Sequence, residues 1–335
     1  MQSKGRLGGR LPLTGRSPVR LAATILALLT INASGESLYK AEQGTFDVKV
    51  ADNIVVTDPV QQREVSFRVL YPDGDGPFPV VAFSSGGFCA ARTYDGITAH
   101  WVSHGYVVIE PTHMDSPDNA KPFDRSNMDM LMPTRLRDVS FALDALDDIG
   151  QQANIASRIA PEGRAVAGHS FGAGIASMKA GVKVKPEFQG PWGEPYDERF
   201  QALIVLSAPG DGPELGENPY SNLRLPLMAT GGTADVGRGY DPSMSPAEFR
   251  RITYQQSPAG DKYSVILTDA NHFLGGLLCK REDSGEPDPG AITIVGAMTT
   301  AFLDAYIKED PAAREFLLTA DMAAITNGRL DYRHR

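Results

Sequence analysis

Between residues 78 and 308 the chain alternates short, almost wholly apolar runs with longer stretches of helical periodicity. The apolar runs are FPVVAF (78–83), YVVIE (106–110), RAVAG (164–168), ALIVL (202–206), PLMAT (226–230) and YSVILT (263–268). A strand with one wet face alternates apolar and polar residues. Runs like these suit strands covered on both faces. Helical segments separate them: 94–104, ended by Gly105; 133–153, where Leu136, Val139, Leu143, Leu146 and Ile149 share a face; one beginning near Gly172; 291–308; and a short one after Pro311. Strand–helix alternation of this kind predicts an α/β protein with a mostly parallel central sheet and helices on both faces. Upstream, residues 63–71 place Val65, Phe67, Val69 and Tyr71 on one face at period two. No polar linker divides residues 36–335, so one domain is expected. Residues 112–132 and 182–199 are long for connections in a compact domain and are candidate functional loops.

The first 35 residues differ in kind. Lys4, Arg6, Arg10, Arg16 and Arg20 precede an apolar run, LAATILALLTI (21–31), and then Ala33-Ser34-Gly35. A basic start, a short apolar stretch and small residues match a secretory signal peptide over 1–35, with a secreted or periplasmic mature protein. The run is shorter than the about 20 residues that span a bilayer, so no stable membrane insertion is expected. Without residues 1–35, Lys+Arg falls from 32 to 27 against 41 Asp+Glu, a net charge near −14. Such a surface repels phosphate backbones, which argues against nucleic acid as a partner.

Gly168-His169-Ser170-Phe171-Gly172 fits G-x-S-x-G. The context makes the pattern specific: RAVA precedes it as a strand and GAGIASMKAG follows as a helix. A turn that tight holds the serine hydroxyl clear of the sheet and needs small residues two positions to either side. Ser170 is the candidate nucleophile, and the Phe171 amide at the helix start a candidate oxyanion donor. Serine needs a base. Of six histidines, His169 points away in such an elbow, His100 and His104 suit packing or capping, and His334 lies in the tail. His113 follows a strand at the carboxyl edge of the sheet, where it can line a pocket. His272, in the loop after the last strand of the alternating stretch, is the expected base. Its acid should lie between 170 and 272. Asp235, in Gly231-Gly232-Thr233-Ala234-Asp235, is preferred on loop position, with Asp211 as the alternative; Asp269 is too near His272 along the chain. A second oxyanion donor is expected from Ser84-Ser85-Gly86-Gly87-Phe88-Cys89, with Gly87 first and Phe88 second.

FSSGGF (83–88), VSHGYVVIEPTH (102–113), GHSFGAG (168–174), GGTAD (231–235) and DANHF (269–273) together resemble the α/β-hydrolase superfamily. Within it, the chain resembles the group holding platelet-activating-factor acetylhydrolases, bacterial cutinase-like polyester hydrolases and dienelactone-hydrolase-like esterases. Ser85-Gly86 departs from the His-Gly of many such enzymes. The resemblance implies the α/β-hydrolase fold and a serine esterase that needs no cofactor or metal. It would act on a small-molecule or lipid-like ester through an acyl-enzyme. A thioesterase or small-peptide hydrolase with the same triad, or a non-catalytic binding protein on this fold, are the alternatives. Met114, Phe123, Met128, Met130 and Met132 form either an apolar substrate wall or core beneath the loop. Cys89 and Cys279 lie in loops that must both converge on Ser170, so an exported protein can join them in a disulfide. Neither has a second cysteine at zinc-ligand spacing. Oligomeric state is not readable.

Overall fold

The computed structural model describes residues 37–193, 195–237, 239–279 and 284–335; the expected signal segment, 1–35, lies outside them. Nine strands form one sheet: β1 (Val48–Asp58), β2 (Arg63–Pro72), β3 (Phe78–Ser84), β4 (Val107–Pro111), β5 (Ile159–His169), β6 (Ala202–Leu206), β7 (Leu227–Ala234), β8 (Lys262–Asn271) and β9 (Leu330–His334). Their order is β1-β2-β4-β3-β5-β6-β7-β8-β9. The six strands from β3 to β8 run parallel to their neighbours, while β1, β2 and β9 add antiparallel edges.

Consecutive apolar residues serve two cores. Phe78, Val80 and Ala82 of β3 face one, with Leu136, Val139 and Ile175 from the helices Leu131–Asp144 and Phe171–Lys179. Val81 and Phe83 face the other, with Ile97, Trp101, Met298 and Phe302 from Asp95–Ser103 and Pro289–Tyr306. The expected α/β-hydrolase fold, with helices on both faces of a mostly parallel sheet, is the one observed.

Three local expectations differ. The helix expected over 133–153 is two, Leu131–Asp144 and Leu146–Gln152, broken at Ala145, whose φ −92° and ψ 11° leave the helical region. The broken helix still buries Leu136, Val139, Leu143 and Ile149, because a kink of one residue leaves the apolar stripe facing the sheet. The strand β9 was not expected: LDYRH is short and polar, and only the open edge of β8 makes it a strand. His113, expected where it can line a pocket, is instead packed inside. It is fully buried, with Nε2 on the Ser84 hydroxyl (2.9 Å) and Nδ1 on Asp138 (3.0 Å).

Candidate active site

The chain enters the parallel sheet at β3, passes to β4 on one side, and returns to β5 on the other. The connections leaving β3 and β5 therefore diverge to opposite faces, and a crevice opens at their carboxyl ends, where α/β sheets place ligands. Register puts Ser84 beside Gly168, so the loop after β3 and the elbow after β5 share that crevice.

Ser170 has φ 53° and ψ −120°, a strained conformation for a residue with a side chain, held by its amide on the Leu206 carbonyl (2.9 Å). The flanking glycines are steric necessities. A Cβ on Gly168 would sit 2.3 Å from the Gly172 carbonyl oxygen, and one on Gly172 would sit 2.0 Å from that of Ser84.

At the neighbouring strand ends, β7 and β8 pair up to Ala234 opposite Asn271. The residues that follow the two strands are Asp235 and His272. His272 Nδ1 lies 2.7 Å from Asp235 Oδ1, and His272 Nε2 lies 2.9 Å from Ser170 Oγ. With Nδ1–H donated to the carboxylate, Nε2 presents its lone pair to the serine hydroxyl. Asp235 is fully buried. Burial alone would raise its carboxyl, but the His272 hydrogen bond and the Arg250 charge bring it down to about 2. Arg250 reaches the same oxygen at 2.9 Å and donates to the Ala208 carbonyl at 2.7 Å. Asn271 Oδ1 accepts from the amides of Phe273 and Gly275, which shapes the turn carrying the histidine.

His169 points away from Ser170. Its Nε2–H donates to the His272 carbonyl (2.9 Å), so Nδ1 accepts from the Tyr94 hydroxyl (2.9 Å), whose oxygen accepts the Gly86 amide (2.9 Å). Burial and the neighbouring His272 push its imidazole down to about 3. A neutral ring thus ties the loop that carries His272 to the loop after β3. Asp211, the alternative acid, is exposed and accepts from the Gly212 amide.

In the loop after β3 the Phe88 amide donates to Asp115 Oδ2 (2.8 Å) and the Cys89 amide to the Gly86 carbonyl (3.2 Å). Phe88, the second choice as donor, therefore has its N–H engaged. Gly87 faces the start of the Phe171–Lys179 helix: a Cβ there would lie 3.7 Å from the Phe171 Cβ. Of the apolar residues in 112–132, Phe123 packs edge-on to Phe88 at 5.8 Å, Met132 joins the core, and Met128 is exposed. The other long connection borders a cavity of about 420 Å³ lined by Lys179, Trp192 and Tyr196. It lies at the far end of the Phe171–Lys179 helix, roughly 12 Å along its axis from Ser170.

Cys89 and Cys279 are joined in a disulfide, their Cα atoms 5.4 Å apart across 190 positions. Closing so long a loop restricts the unfolded chain, so Cys89→Ala with Cys279→Ala is expected to lower stability by roughly 2–5 kcal/mol. Urea denaturation of the double variant checks this; an unchanged midpoint would count against it.

Among the described residues no group of three or more His, Cys, Asp or Glu is placed to hold a metal ion, and no helix is long and apolar enough to cross a membrane. Arg250, Arg135, Asp115 and Tyr94 escape a reading of the sequence. Each is a polar residue in a helical segment or loop where a solvated position is the ordinary expectation, and no local pattern marks it as buried.

A family model for chlorophyllases matches residues 38–180. The match takes in the loop after β3 and the Ser170 elbow, under half of the chain, and stops short of Asp235 and His272. It supports the α/β-hydrolase superfamily and an ester hydrolase of carboxylesterase type. It does not point to any of the three enzyme groups that the motifs resemble. No curated protein matches the chain.

Proposed function

We propose that this chain hydrolyses carboxylic esters through an acyl-enzyme on Ser170, with His272 as general base and Asp235 as its acid. The observation that supports this reading is the continuous path from Ser170 Oγ through His272 to the buried Asp235 carboxylate, at 2.9 and 2.7 Å. As Ser170 attacks the ester carbonyl, His272 Nε2 takes its proton, and Asp235 stabilises the imidazolium and fixes its tautomer. The amides of Phe171 and Gly87 receive the oxyanion: the first opens a helix, and the second has no partner among the described residues. His272 then protonates the departing alcohol. Water repeats the sequence to release the acid and free Ser170.

Phe88 and Phe123 supply an apolar border, suited to a small-molecule or lipid-like ester. The disulfide agrees with export into an oxidising compartment, as the basic and apolar start of the chain suggests. The test is labelling with a fluorophosphonate and turnover of p-nitrophenyl esters of increasing chain length, beside matched thioesters and amides. A single adduct on Ser170 and preferential ester turnover are expected. An unlabelled Ser170, or faster amide than ester cleavage, would overturn the reading.

A further inference from the structure

Beneath the loop after β3 lies an ion pair that the proposed chemistry does not use. Arg135, from the helix Leu131–Asp144, is fully buried, and Asp115 nearly so. The guanidinium grips Asp115 with two bonds, Nε to Oδ1 at 2.9 Å and Nη2 to Oδ2 at 2.8 Å. Two of its three remaining donors go to the loop backbone: Nη1 to the Ser85 carbonyl at 2.6 Å and Nη2 to the Gly86 carbonyl at 3.0 Å. The guanidinium also lies 5.0 Å from the Phe171 ring centre.

We infer that Arg135 and Asp115 are positioning residues that set the oxyanion donors of this site, the amide of Gly87 above all. The inference rests on the proposed ester-hydrolase reading. Four backbone groups around Gly87 are engaged: the Ser85 and Gly86 carbonyls by Arg135, the Gly86 amide by Tyr94, and the Phe88 amide by Asp115. Phe88 is held at φ 58°, a left-handed conformation that a non-glycine residue adopts at some cost. These bonds orient the two peptide planes that flank Gly87, whose own N–H has no partner among the described residues and can meet a substrate. The same guanidinium touches Phe171, so one rigid group registers the residues of both donors.

Stability alone does not account for the pair. Taking two charges out of water is costly, and an apolar pair of similar volume often stabilises as well or better. Asp115 remains a carboxylate there: burial would raise it, but the Arg135 charge and hydrogen bonds hold it below its ordinary range. A lysine cannot reproduce the planar fork that serves a carboxylate and two carbonyls at once.

Arg135→Lys and Asp115→Asn in the full chain test this, with active sites counted by fluorophosphonate titration. Per active site, kcat for a p-nitrophenyl ester should fall on the order of 10²-fold, as when an oxyanion donor is lost, with KM changed by less than about threefold. The preference for the oxygen ester over its thionoester should shrink as well, because sulfur gains less from a well-set donor pair. If Arg135→Lys does not fold, Asp115→Asn decides. A lower melting temperature with per-site kcat and the ester-to-thionoester ratio unchanged would mean a purely structural role and overturn the inference. Ser170→Ala separates the two readings. Full ester turnover by that variant removes the hydrolase reading itself. Its inactivity, beside intact kcat in the Arg135 and Asp115 variants, removes only the positioning role.

Discussion

Ser170→Ala is expected to yield a folded protein whose ester turnover is lower by on the order of 10⁴-fold or more. The hydroxyl lies at the strand–helix elbow, half-buried and bonded to His272, and the carbon skeleton around it is unchanged by the substitution. Alanine at φ 53° bears the same backbone strain as serine, so the elbow should persist. What remains after the change is the catalysis that oxyanion donors and binding supply to water. Circular dichroism and thermal unfolding should match the parent protein, and steady-state kinetics should show the loss in kcat. Turnover within tenfold of the parent would remove Ser170 from the mechanism.

The second large effect separates two acids. Asp235→Asn should lower kcat by on the order of 10⁴-fold, because an amide beside Nδ1 permits the wrong imidazole tautomer and cannot stabilise the imidazolium. Asp211→Asn should change kcat by less than about threefold, since its side chain is exposed and bonded to its own neighbour, Gly212. The reverse ranking would move the acid to Asp211. The shift on Asp235 also has a sign for stability. Its folded-state value, about 2, lies below its ordinary 3.8. The ionised carboxylate therefore stabilises the fold at pH above its ordinary value, and that contribution is lost as pH falls through about 2. Asp235→Asn should thus flatten acid unfolding in that window, beside its effect on kcat.

Arg250 adds a constraint on the same group. It shares Asp235 Oδ1 with His272, so the carboxylate is held by two cationic or cation-forming partners from separate elements. Both partners favour the ionised carboxylate and together outweigh the cost of its burial.

The chain's own pattern determined the sheet and its layering. Apolar residues at consecutive positions leave a strand such as ALIVL no wet face, so both faces must be covered whatever the tertiary details. The elbow was equally local: strand, G-x-S-x-G and helix are contiguous, and steric exclusion at Gly168 and Gly172 acts within a few residues of Ser170. His272 stood out by elimination and by its place after a strand. Tertiary structure decided whatever depends on lateral register. Asp235 and His272 meet because β7 and β8 pair through Ala234 and Asn271, an alignment that neither strand encodes alone. The strand Leu330–His334 is likewise set by the β8 edge it pairs with, not by propensity. The buried polar groups Arg135, Asp115, Arg250 and Tyr94 were invisible for the same reason. A charged side chain costs little on the surface and much inside, and only the positions of its partners, distant in sequence, make the inside acceptable.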